Sequence, residues 1–196
     1  FIMKRLLLIL ILTFSFQSWS KAEGIRDFQI EGMSLGDSAL DYFTIDEINK
    51  NKKFYRNTDS KKFFRTEIYS NKLNKYDNLM LHFKENDPNY IIESISGAIF
   101  FSESLINTTQ ECIKKRNLID QKVKQLFESA NKEVVDDKIY VWDKSRKSKT
   151  HSINYWFKEG DYAAISCYVF SKEYGGNSHL KIMVNSADLS NWINSL

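Results

Sequence analysis

Ser152-Ile153-Asn154-Tyr155-Trp156-Phe157-Lys158-Glu159-Gly160-Asp161-Tyr162-Ala163-Ala164-Ile165-Ser166-Cys167-Tyr168-Val169-Phe170-Ser171 is the stretch that decides the fold. Lys158-Glu159-Gly160-Asp161 reads as a tight turn between two strands, Ser152–Lys158 and Tyr162–Ser171. A turn that short can join only antiparallel neighbours. In the second strand Ala163, Ile165, Cys167 and Val169 share one face, while Tyr162, Ser166, Tyr168 and Phe170 share the other. The aliphatic side is the one a helix would cover.

Further strands are predicted on both sides of this hairpin. Lys138–Asp143 precedes it and Leu180–Asn185 follows it. An earlier run comprises Lys62–Ser70, Asn78–Lys84 and Ile91–Phe101, rich in β-branched and aromatic residues. In Asn78–Lys84, Leu79, Leu81 and Phe83 alternate with Met80, His82 and Lys84. Asp87-Pro88, which holds the only proline, marks the turn before the third strand. Gly97 within that strand marks a bulge or a close backbone contact.

Between the two runs lies the longest helical stripe, Cys112, Ile119, Val123, Leu126, Phe127 and Ala130, with Thr108 and Glu111 as its capping box. Ser34 with Asp37 and Thr44 with Glu47 start short helices early in the chain, and Ser186, Leu189, Trp192, Ile193 and Leu196 read as a closing amphipathic helix. The expected fold is α+β: an antiparallel sheet of about seven strands in two meanders, packed by the central helix and short terminal helices.

The first 22 residues have the three-part layout of a secretory signal peptide. Lys4 and Arg5 precede an apolar run of 11 residues, Leu6–Phe16, and Ser20-Lys21-Ala22 supplies small residues for cleavage after Ala22. That run is short of the roughly 20 residues that span a bilayer, so no stable membrane span is expected after cleavage. The remaining 174 of the 196 residues, 23–196, lack any Pro/Gly/Ser-rich linker and are expected to form one domain. Formal net charge is +3, yet the leader carries three of the 28 basic residues and none of the 25 acidic ones, so the mature chain balances at 25 against 25. A phosphate-binding surface normally needs a basic excess, which argues against nucleic acid as partner.

Cys112 and Cys167 are the only cysteines. Export would carry them into an oxidising compartment, where the pair is expected to be bonded. The competing reading is two buried thiols that never meet.

Chemistry is hard to place. His82, His151 and His179 form no local metal pattern, no serine sits in a GxSxG elbow, and no cofactor or metal is expected. Asp136, Asp137 and Asp161 are the scattered carboxylates on which a hydrolase of envelope or carbohydrate material would have to rely. Aromatic residues are more informative. Tyr140, Trp142, Tyr155, Trp156, Tyr162, Tyr168 and Phe170 cluster in the second meander, several of them on the face away from the aliphatic stripe. Tyr140, Trp142, Trp156 and Tyr168 are the candidate binding residues, since Tyr and Trp combine apolar area with a polar handle. The alternative for these rings is a second core layer.

The segment Ile25-Arg26-Asp27-Phe28-Gln29-Ile30-Glu31-Gly32-Met33-Ser34-Leu35-Gly36-Asp37-Ser38-Ala39-Leu40-Asp41-Tyr42-Phe43 resembles the mature N-termini of uncharacterised exported proteins of Pelagibacter-like marine bacteria. The excess of Lys over Arg and the Asn-rich usage agree with an AT-rich bacterial genome. The resemblance implies residence in the periplasm and brings no activity with it. The function expected from the chain is therefore a soluble periplasmic binding or accessory protein, non-enzymatic, acting on an envelope protein or a small ligand.

Overall fold

The computed structural model describes residues 24–55, 60–69, 73–101 and 105–196, apart from the side chains of residues 105–107. The leader expected over residues 1–22 lies outside the described residues. Among the described residues eight strands are present: β1 (Lys53–Phe54), β2 (Phe63–Ile68), β3 (Asn78–Lys84), β4 (Ser94–Phe100), β5 (Asn131–Ile139), β6 (Lys149–Trp156), β7 (Tyr162–Val169) and β8 (His179–Asn185). Among the described residues three α-helices accompany them: α1 (Ile45–Lys50), α2 (Leu105–Val123) and α3 (Ala187–Asn194).

The α+β class stands, but the sheet is one of eight strands, not about seven in two meanders. Its order is β1-β2-β3-β4-β8-β7-β6-β5, with every neighbouring pair antiparallel. The two runs fuse where β4 pairs with β8 from Ser94↔Asn185 to Phe100↔His179. The added strand, β1, is two residues long inside an Asn/Lys-rich stretch, too short to display any alternation.

Several boundaries also differ from expectation, among them β4, which begins at Ser94 rather than Ile91, and β6, which runs over Lys149–Trp156 rather than Ser152–Lys158. β5 runs over Asn131–Ile139 rather than Lys138–Asp143. It is an edge strand exposed on both faces, so no period-2 pattern is imposed on it. A bulge interrupts its pairing between Val135 and Lys138, with Asp137 at φ 55°. Helix α2 begins at Leu105, which puts Thr108 inside it and buried rather than at its cap. The apolar stripe nevertheless continues past Val123, because the Phe127 amide still bonds the Val123 carbonyl at 2.9 Å. At Ser34 the capping bond forms, Ser34 N–H to the Asp37 carboxylate at 2.8 Å, yet no α-helix follows. Gly36 adopts φ 91° and gives its amide to the Ile92 carbonyl, so the chain makes only a 3-10 turn, Ala39–Asp41. The next signature is realised: Thr44 and Glu47 form a full capping box for α1.

One face of the sheet carries the main core. Leu79, Leu81, Phe83, Ile95, Ile165, Leu180 and Val184 pack under Cys112 and Val123 of α2, Ile48 of α1 and the N-terminal residues Ile25, Ile30, Met33 and Leu35. Cys112 and Cys167 are bonded, with their Cα atoms 5.9 Å apart, and tie α2 to β7. Among the described residues no helix is long and apolar enough to cross a membrane.

Gly97 is a close contact and not a bulge, since its pairing with Leu79 and Ile182 is in register. A Cβ there would lie 2.4 Å from Cδ1 of Tyr76. Tyr76 cannot move freely, because its amide and those of Asn74 and Lys75 all donate to the Glu31 carboxylate. Gly97→Ala is expected to destabilise by about 1–3 kcal/mol through overpacking, measured by urea unfolding. Tyr76→Ala in the same chain should relieve the clash component.

Candidate functional site

The opposite face of the sheet is only partly covered. Antiparallel register lines its side chains up in rows that run across the strands. The first row is Lys53, Arg65, His82, Ser94, Asn185, Tyr162, Trp156 and Asn131, one from each strand. The second contains Glu67, Met80, Ser96, Met183, Ala164, Asn154 and Glu133, and the third Asn78, Ala98, Lys181, Ser166 and Ser152. The fourth holds Phe100, His179, Tyr168 and Thr150.

Helix α3 lies over one end of this face. Ser186 caps it by accepting from the Leu189 amide, and Leu189 and Trp192 bury themselves against Phe63 and Tyr55. Its other neighbour is open, and the result is a cleft of about 360 Å³ between α3 and the first three rows. That volume falls within the usual range for small-ligand sites, roughly 300–1,000 Å³. Its floor carries Arg65, Met80, His82, Lys181, Met183 and Asn185, and its walls Tyr55, Trp156, Tyr162, Ser190 and Ile193.

Two residues lining the cleft carry a buried polar atom with no hydrogen-bond partner among the described residues. His82 is 7% exposed, and its Nδ1 has no hydrogen-bond partner among the described residues. Ser190 Oγ is in the same position. Both atoms are closed off from solvent, as is Thr66 Oγ1, so it is the charged and aromatic side chains lining the cleft that are presented to a ligand. Burial, reinforced by the positive charges of Lys181 and Arg65, lowers the His82 pKa to about 3, which keeps the ring neutral. Burial and then Arg65 bring Lys181 down to about 8, against the opposing pull of Glu67.

The predicted binding residues divide. Trp156 and Tyr162 meet in a tilted ring contact at 4.4 Å between centroids and form one wall of the cleft. Tyr140 and Tyr168 belong to a second cluster with Phe170, Tyr174 and His179, where Tyr168 stacks on His179 at 4.8 Å. Trp142 joins neither and is 65% exposed. Tyr155 faces the main core and bonds Asp120. Arg65, His82, Lys181 and Ser190 were not among the binding candidates. The alternation of His82 and Met80 in β3 and of Tyr162 and Tyr168 in β7 pointed to this face, but not to those four residues.

The three carboxylates do not converge. Asp136 pairs with buried Arg116 at 2.6 Å, the Asp137 amide donates to His151 Nδ1, and Asp161 accepts from the Ala187 amide at 2.6 Å. Asp161 sits at the β6–β7 hairpin, opposite the Asn131 end of β5. Five strand residues, about 17 Å, therefore separate it from the aspartate pair. Among the described residues no group of three or more His, Cys, Asp or Glu side chains is placed to hold a metal ion. Matched against protein-family models, curated proteins and solved structures, the chain is similar to none of them.

The α3 wall is held by charge as well as packing. Asp188 contacts Lys62 at 2.9 Å and Lys84 at 2.7 Å, and these lysines, Lys84 foremost, lower its pKa below the usual carboxylate value. A carboxylate whose folded pKa is depressed stabilises above its unfolded value and loses that contribution as pH falls. The tether should thus be complete above about pH 5 and weaken toward pH 3. Because the partners are water-exposed, its worth is less than about 1 kcal/mol. Thermal unfolding of Asp188→Asn against the parent should differ at pH 7 and converge at pH 3.

Proposed function

We propose that this chain is an exported, non-enzymatic binding protein of a bacterial periplasm, of the kind found in Pelagibacter-like marine bacteria, and that the cleft under α3 is its ligand seat. The observation that carries the reading is a concavity floored by Arg65, Lys181 and Asn185 and walled by Tyr55, Trp156 and Tyr162. A few fixed polar groups among aromatic walls is the usual make-up of a small-molecule site. The Cys112–Cys167 bond supports residence in an oxidising compartment. The aromatic character anticipated for the second meander is retained in Trp156 and Tyr162, while Tyr140 and Tyr168 extend the same face away from the cleft.

Expression with the leader, gentle purification from the periplasm and native mass spectrometry test this. The expected result is cleavage after Ala22 and a co-purified small molecule that is absent from Met183→Trp, a variant whose larger side chain fills the floor. Equal occupancy in Met183→Trp with an intact fold removes the cleft from consideration.

A further inference from the structure

Resting on the reading of the cleft as the ligand seat, we infer that it takes a small organic anion. Its acidic head would lie between Lys181 and Arg65, and its apolar body against Met80, Met183 and the Tyr162–Trp156 wall.

Charge accounting on this face supports the head group. The nearby acids are already matched elsewhere. Glu67 lies 3.7 Å from Lys53, Asp188 sits between Lys62 and Lys84, and Glu93 faces Lys84 at 3.0 Å. Arg65 and Lys181 have no ion pair or side-chain hydrogen bond among the described residues, although both are half-buried in the same cleft. Glu67 attracts Lys181 without contacting it, so both cations are withdrawn from water with no directly paired counter-charge, and an anionic ligand lowers that cost. The same charges disfavour a metal cation.

The walls argue for an organic molecule over a bare ion. Two methionines, Ile193 and three aromatic rings line the cleft, and methionine adapts to irregular apolar shapes. A volume of about 360 Å³ is far more than an inorganic phosphate occupies. Carboxylate and phosphate heads share this recognition chemistry, with Arg65 able to bind either in bidentate fashion.

Isothermal titration of the mature chain with phenylacetate, phenylacetamide, phenyl phosphate and inorganic phosphate tests the inference. Phenylacetate is expected to bind about 10- to 100-fold more tightly than phenylacetamide, the value of a charge-assisted contact. Lys181→Gln should bring the two probes together, and Lys181→Arg should restore the difference. If Lys181→Gln fails to fold, the acid–amide comparison on the parent chain decides alone. Tighter binding of phenyl phosphate than of phenylacetate supports the inference and assigns a phosphate head, and the reverse order assigns a carboxylate. Amide binding as tight as acid binding overturns the anion and leaves the cleft as the seat. Inorganic phosphate binding as tight as phenyl phosphate overturns the organic body. Acid binding unchanged in a folded Met183→Trp overturns the seat itself, and no binding by any probe at millimolar concentration overturns the inference.

Discussion

Removing the disulfide by Cys112→Ser with Cys167→Ser is expected to lower the unfolding free energy by about 4 kcal/mol. The bond spans 55 residues of sequence, and in the chain-entropy model a loop of that length restricts the unfolded ensemble by that amount. Against a typical total of 5–15 kcal/mol this is a large share. It also falls at a sensitive place, since both cysteines are fully buried and link α2 to an interior strand, β7. Urea unfolding of the parent with and without reductant should reproduce the shift seen in the double variant. A loss under about 1 kcal/mol would mean that packing alone holds α2 against β7.

The second large effect is expected from Trp192→Ala. Trp192 is 8% exposed and contacts Tyr55 at 4.8 Å and Phe63 at 5.1 Å between ring centroids. Truncating a buried tryptophan costs about 3–5 kcal/mol, and here the loss falls on the contact that seats α3. Since α3 walls the cleft, ligand binding should disappear with it, while the main core on the other face stays folded. Hydrogen exchange should show α3 amides opening before those of β3 and β7. Trp192→Phe should recover most of the protection. Uniform loss of protection across all elements would instead make α3 part of one cooperative unit with the main core.

Legibility in the sequence followed how strongly each element is buried on one side. β3 was predicted with its observed ends because one of its faces is core and the other half-open, which writes Leu79, Leu81 and Phe83 in strict alternation. The Lys158–Asp161 hairpin and the orientation of Cys167 followed from the same period. β5 was misplaced because solvent on both faces leaves no pattern to read, and β1 because two residues cannot carry one. The early helix failed through a competing bond: Gly36 pairs with Ile92, a partner 56 positions away that local capping rules do not see. The cleft was the least legible feature. Arg65, His82, Asn185, Tyr162 and Trp156 become neighbours only through the lateral register of successive strands, and β4–β8 pairing, which sets that register, joins residues some 90 positions apart.

A sheet with one face only partly covered invites association with copies of itself, yet its two borders are poor templates for another strand. One border is only two residues long. The other is kinked at Val135–Lys138 and bristles with Lys132, Glu133, Asp136, Asp137 and Lys138. Short, bent and charged margins block lateral growth into fibrils, so an exposed surface suited to holding a ligand is kept without the hazard of polymerisation.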